Sequence, residues 1–71
     1  MDIKKEVGVR IKESRRAVGL TQAQVAERLR MTQQQYSRFE NGVFELDYSQ
    51  LIQVSQMFDV SVDYLLGLKQ F

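Results

Sequence analysis

The sequence predicts a compact all-α fold, one domain of five helices, and three observations carry that reading. Apolar residues recur at helical spacing almost from end to end. At 21/24, 32/35 and 47/50 a Thr or Asp stands three residues ahead of a Gln, the spacing of a capping box. Proline is absent, so nothing interrupts a helix interior.

In chain order, Ile3, Val7, Ile11 and Val18 fall on one stripe, with Ser14 in a place an apolar residue would fill. Gly19 ends this first helix. Thr21 caps a second helix, whose short stripe is Val25, Ala26 and Leu29. Thr32 caps a third, starting near Gln33 and stopping at Asn41-Gly42. Asp47 opens a fourth, with Leu51, Val54, Ser55 and Phe58 facing inward, and Ser61 caps a short fifth that runs to about Leu66 before Gly67. One signal competes. Asn41-Gly42 is a favoured hairpin dipeptide, and Phe44, Leu46 and Tyr48 alternate as a strand does. The partner strand is missing, because Tyr36 and Phe39 keep helical spacing.

The 71 residues make a single domain, 1–71, which buries only about 60% of its unfolded surface. Cysteine and histidine are both absent. No disulfide can staple the core, a zinc site would need carboxylates alone, and Cys–His and Ser–His nucleophiles are excluded. With no glycine-rich phosphate loop and no paired-carboxylate motif, the chain is not expected to be an enzyme or to hold a metal, cofactor or small-molecule ligand. A composition of 44% hydrophobic and 27% charged residues is that of a folded domain. No apolar run approaches the roughly 18–20 residues of a membrane span, and Met1 to Lys5 lack the apolar centre of a signal peptide. A cytoplasmic, soluble protein is expected.

Net charge is +1, but unevenly spread. Residues 1–30 carry eight basic groups against four acidic ones, and residues 31–71 carry two against five. A chain polarised this way can turn a basic face to a polyanion while staying near neutral overall.

Two short capped helices joined by about three residues, over about 21–41, describe a helix-turn-helix. Ala26 suits the position where the helices nearly touch, and Val25, Leu29, Tyr36 and Phe39 supply a shared apolar side. Opposite them on the third helix, Gln33, Gln34, Ser37 and Arg38 form one polar stripe. Glutamine can pair with the N6/N7 edge of adenine and arginine with O6/N7 of guanine in the major groove. Gln33 to Gln35 also stand at the positive end of a helix, where phosphates are favoured.

These residues, together with Arg10-Ile11-Lys12-x-x-Arg15, Gly19-Leu20-Thr21-Gln22-x-x-Val25-Ala26, Tyr36 through Gly42, and the run from Leu51 to Gly67, resemble the Cro/C1-type helix-turn-helix family of phage repressors and bacterial regulators. The resemblance covers about residues 8–67. It implies a five-helix, lambda-repressor-like domain whose third helix enters the major groove of double-stranded DNA, and a transcriptional regulator, foremost a repressor. On that resemblance Gln33, Gln34, Ser37 and Arg38 match base-contacting positions. Thr21, Gln22 and Asn41 match phosphate-contacting ones, and Arg15 and Glu40 match a structural salt bridge between the first and third helices.

The chain departs from the family pattern at several places. Arg30 stands in the turn where glycine or asparagine is frequent, at a cost of roughly 1 kcal/mol if the backbone is left-handed, offset if it reaches a phosphate. Ser14 and Ser55 replace residues that are usually apolar. The loop Val43-Phe44-Glu45-Leu46-Asp47 is acidic where many members carry Lys or Arg, leaving phosphate contacts to Lys12, Arg30, Arg10, Arg16 and backbone amides. Tyr64, Leu66, Leu68 and Phe71 are expected to form a homodimer contact that sets two recognition helices about 34 Å apart on a palindromic operator. The competing reading is a protein-interaction module, an antitoxin-like or anti-repressor partner, which the acidic loop favours and the polar stripe opposes.

Overall fold

The computed structural model describes residues 2–70; Phe71, assigned above to a dimer contact, lies outside them. The chain forms α1 (Ile3–Ala17), α2 (Gln22–Arg28), α3 (Gln33–Glu40), α4 (Tyr48–Phe58) and α5 (Val62–Leu65), with no strand among the described residues. The hairpin alternative fails because Asn41 closes α3, and the segment after it runs directly to the cap of α4.

Local chemistry sets both ends of each helix. Thr21, Thr32 and Asp47 make complete capping boxes with Gln24, Gln35 and Gln50, while Asp2 and Ser61 cap α1 and α5 through the side chain alone. Every helix ends in the same lock, with a left-handed residue whose amide turns back into the last turn. At α2, Arg30 N–H donates to Glu27 O and Met31 N–H to Ala26 O. The left-handed residues are Gly19, Arg30, Gly42, Asp59 and Gly67. Asp tolerates this backbone, whereas Arg30, at φ 58°, bears its full steric cost.

The core is Ile11, Val25, Ala26, Leu29, Tyr36, Val54, Phe58 and Leu65. α1 packs on α3, α4 and α5, and α2 packs on α3, so α1 is the post around which the others assemble. Only the middle of its apolar stripe is covered. Ile11 is buried, whereas Ile3 and Val18, at the two ends, are exposed. Ser14 is buried in that same stripe. Gly8 allows α1 to touch the end of α3: a Cβ there would overlap the carbonyls of Phe39 and Glu40, lying 2.7 Å from the former. No helix is long and apolar enough to cross a membrane among the described residues.

One buried polar contact ties α1 to α3. Arg15 Nε donates to Glu40 Oε2 at 2.7 Å and Nη2 to Oε1 at 3.1 Å, while Nη1 donates to the Leu20 carbonyl at 2.8 Å. The Glu40 side chain is only 1% exposed. Burial alone would raise its pKa, but hydrogen bonds from Arg15 and Gln22 hold it below the ordinary 4.5. Burial pushes the Tyr36 phenol well above its usual value, and the neighbouring carboxylate adds to this. The phenol has no hydrogen-bond partner among the described residues.

Three outcomes follow from these contacts. Arg15→Ala strands a buried carboxylate and lowers stability by about 3–5 kcal/mol, read from denaturant melts. In acid, the unfolded chain binds the Glu40 proton at 4.5 while the native chain still resists it, so stability is complete above that value and declines as pH falls towards the lower folded pKa. Melting temperature should therefore drop more steeply in the wild type than in Glu40→Gln as pH falls below 4.5. Arg30→Gly relieves the left-handed strain, worth about 1 kcal/mol, and raises the melting temperature by about 4–8 °C.

Candidate nucleic-acid interface

The outer face of α3 is set by the burial of its inner face. Tyr36 is fully buried and Phe39 packs beside it, which turns Gln33, Gln34 and Arg38 outward and leaves Ser37 half-buried. These four side chains, with Gln22 from the start of α2, line one shallow polar concavity. It offers amide, hydroxyl and guanidinium groups and no carboxylate. That set can donate to and accept from base edges.

Gln22 connects this surface to the buried ion pair. Its Nε2 donates to Glu40 Oε1 at 3.0 Å, and its Oε1 accepts from Gln33 Nε2 at 3.4 Å. The buried carboxylate thus fixes which end of the Gln22 amide faces α3, and Gln22 in turn restrains Gln33. Sequence reasoning placed Gln22 at a phosphate position and did not see this bridge, because it spans residues 18 and 11 apart in sequence. Asn41 Nδ2 donates to Ser37 Oγ at 3.2 Å, tying the exposed end of α3 to its polar stripe.

Of the remaining candidates, Thr21 adjoins Gln22 in sequence and Arg30 shares a second concavity with Arg38. Thr21 is exposed at the cap of α2, where its hydroxyl accepts from the Gln24 amide and keeps its own proton to donate. Lys12 is half-buried on α1. Arg30 is exposed in the turn and shares a second concavity with Arg38, Phe44, Glu45 and Gln50. There the Arg38 guanidinium lies over the Phe44 ring, 5.7 Å from its centroid. Glu45 contributes a carboxylate to this second concavity but not to the first.

Among the described apolar residues near the C-terminus, Tyr64 and Leu66 line different depressions. Tyr64 packs against the core and lines a cleft with Phe58 and the end of α1. Leu66 lines a different groove with Ile3, Val7, Phe44 and Tyr48, and Leu68 is exposed beyond it. Two further features escaped the sequence reading. Gly8 had a signal, being a glycine inside a helical run, which commonly marks close packing. The Arg38–Phe44 stack had none, since its partners lie on either side of a helix end.

Comparison with known proteins agrees with this architecture. The sequence model of the helix-turn-helix family, HTH_3, matches residues 11–65. The chain is 38% identical over 61 residues to the HTH-type transcriptional regulator ImmR of Bacillus subtilis (strain 168), an alignment covering 86% of this chain and 48% of that protein. It is 43% identical over 56 residues to the uncharacterized HTH-type transcriptional regulator YqaE of the same organism, covering 79% of this chain and 48% of YqaE. It is also 37% identical over 59 residues to the SPbeta prophage-derived uncharacterized HTH-type transcriptional regulator YonR of that organism, covering 83% of this chain and 55% of YonR. The chain spans about half the length of these relatives. With most of its length matched by the family model, and with the α2–α3 pair built as described, the chain belongs to the helix-turn-helix family.

Proposed function

We propose that the chain binds double-stranded DNA sequence-specifically through the major groove and acts as a transcriptional regulator, foremost a repressor. The observation that carries this reading is the concavity of Gln22, Gln33, Gln34, Ser37 and Arg38, a carboxylate-free surface on α3 and the start of α2, opposite the buried Tyr36. In this reading Gln33, Gln34, Ser37 and Arg38 read base edges, while Thr21, Gln22, Arg30, Asn41 and Lys12 meet phosphates. The names of the relatives, all HTH-type transcriptional regulators, support it. A homodimer on a palindromic operator completes it, with Tyr64, Leu66, Leu68 and Phe71 as the contact residues to vary.

Selection of bound sequences from a random duplex library at near-physiological salt tests the reading. The expected product is an enriched palindrome with half-sites about 10 base pairs apart, bound with an affinity that falls steeply as salt rises. Gln33→Ala or Gln34→Ala should lose about 1–3 kcal/mol of discrimination on that site with thermal melts unchanged. A folded protein that enriches no sequence would overturn DNA reading and move the search to protein partners, in keeping with the exposed Glu45 and Asp47.

A further inference from the structure

We infer that Phe44 is a positioning residue for base recognition: its ring holds the Arg38 guanidinium, so the loop after α3 tunes the base preference of that helix. This rests on the proposed reading of α3 as the base-reading helix.

Three observations carry it. The Arg38 Cζ lies 5.7 Å from the Phe44 ring centroid, within the range in which a guanidinium is attracted to an aromatic face. The backbone fixes the register of the two groups. The Arg38 carbonyl accepts the amides of Val43 at 2.8 Å and Phe44 at 3.3 Å, so cation and ring belong to one closed turn. Finally, Phe44 is 51% exposed, and simple burial does not account for its position. It stands as a wall between two surfaces, the apolar groove with Ile3 and Tyr48 on one side and the second concavity, with Arg30 and Arg38, on the other.

Arg38 makes no salt bridge among the described residues, where ion pairs engage only Arg15 and Lys69. Its charge is therefore held by a ring and not neutralised by a carboxylate. A free arginine samples many rotamers and must lose them to pair with guanine O6 and N7. One already stacked has less freedom to lose, so the contact gains selectivity without the loop touching a base. The acidic loop thereby serves the polar stripe through Phe44, whatever repulsion Glu45 brings.

Two measurements test this with the full chain, using Phe44→Leu, which keeps apolar volume without a π-face, and Phe44→Tyr, which keeps the face. In the free protein, the NMR shifts of the Arg38 side-chain protons should show a ring-current displacement that Phe44→Leu removes and Phe44→Tyr retains. On DNA, the reading is the ratio of affinity for the selected site to that for a site altered at the base pair Arg38 reads. Phe44→Leu should lower this ratio about 2- to 5-fold, the size of an exposed cation–π contact, and Phe44→Tyr should restore it. In an Arg38→Ala background, Phe44→Leu should change the ratio no further. A wild-type ratio in Phe44→Leu, when Arg38→Ala lowers it, overturns the positioning role alone. So does a loss shared equally by all DNA sequences, which marks a structural effect. A ratio unmoved by Arg38→Ala overturns the base-reading assignment of Arg38, and the inference falls with it.

Discussion

The buried pair between Arg15 and Glu40 is the constraint on which the rest of the domain depends. Two charges withdrawn from water are costly unless their hydrogen-bonding capacity is met, and here it is met closely. Glu40 accepts from Arg15 twice and from Gln22 once, and the third arm of the guanidinium reaches the Leu20 carbonyl in the turn between α1 and α2. One contact therefore joins the end of α1, the following turn, the start of α2 and the end of α3. Hydrophobic burial would hold these elements together in many relative rotations, whereas the fork of an arginine on a carboxylate accepts few.

That geometry passes outward to the surface. With its nitrogen held by Glu40, Gln22 can present only its oxygen to Gln33. At the far end of α3, Asn41 holds Ser37, and Phe44 holds Arg38. Three of the four polar side chains on the exposed face are thus restrained by a neighbour before any ligand arrives. A pre-arranged surface loses less conformational entropy on binding, which matters for a helix of only 8 residues.

The small size of the domain shapes the remaining choices. Its loops are short, its helices are capped by side chains three residues from their partners, and each helix closes with the same left-handed lock. These local devices set the helix ends, so the modest core has only to bring the helices together. Where the sequence tolerates a cost, as with Arg30 in the left-handed turn or Ser14 in the core stripe, the residue stands beside the α2–α3 unit or the Arg15–Glu40 contact.

The five helices, and the ends marked by a Thr, Asp or Ser cap or by a following glycine, were legible in the sequence because they rest on local signals, whereas the left-handed Arg30 and Asp59 that close α2 and α4 carry no glycine signal. The polar stripe of α3 was legible for the same reason, since burying Tyr36 determines where Gln33, Gln34, Ser37 and Arg38 must point. The pairing of Arg15 with Glu40 could be suggested only by resemblance, and its hydrogen bonds came only with the structure. The bridge through Gln22, the stack of Arg38 on Phe44 and the close approach at Gly8 were decided by tertiary structure alone. Each depends on the angle at which two helices meet or on the path of a turn in space. Such angles follow from the packing of many side chains at once, so no local pattern in the sequence encodes them.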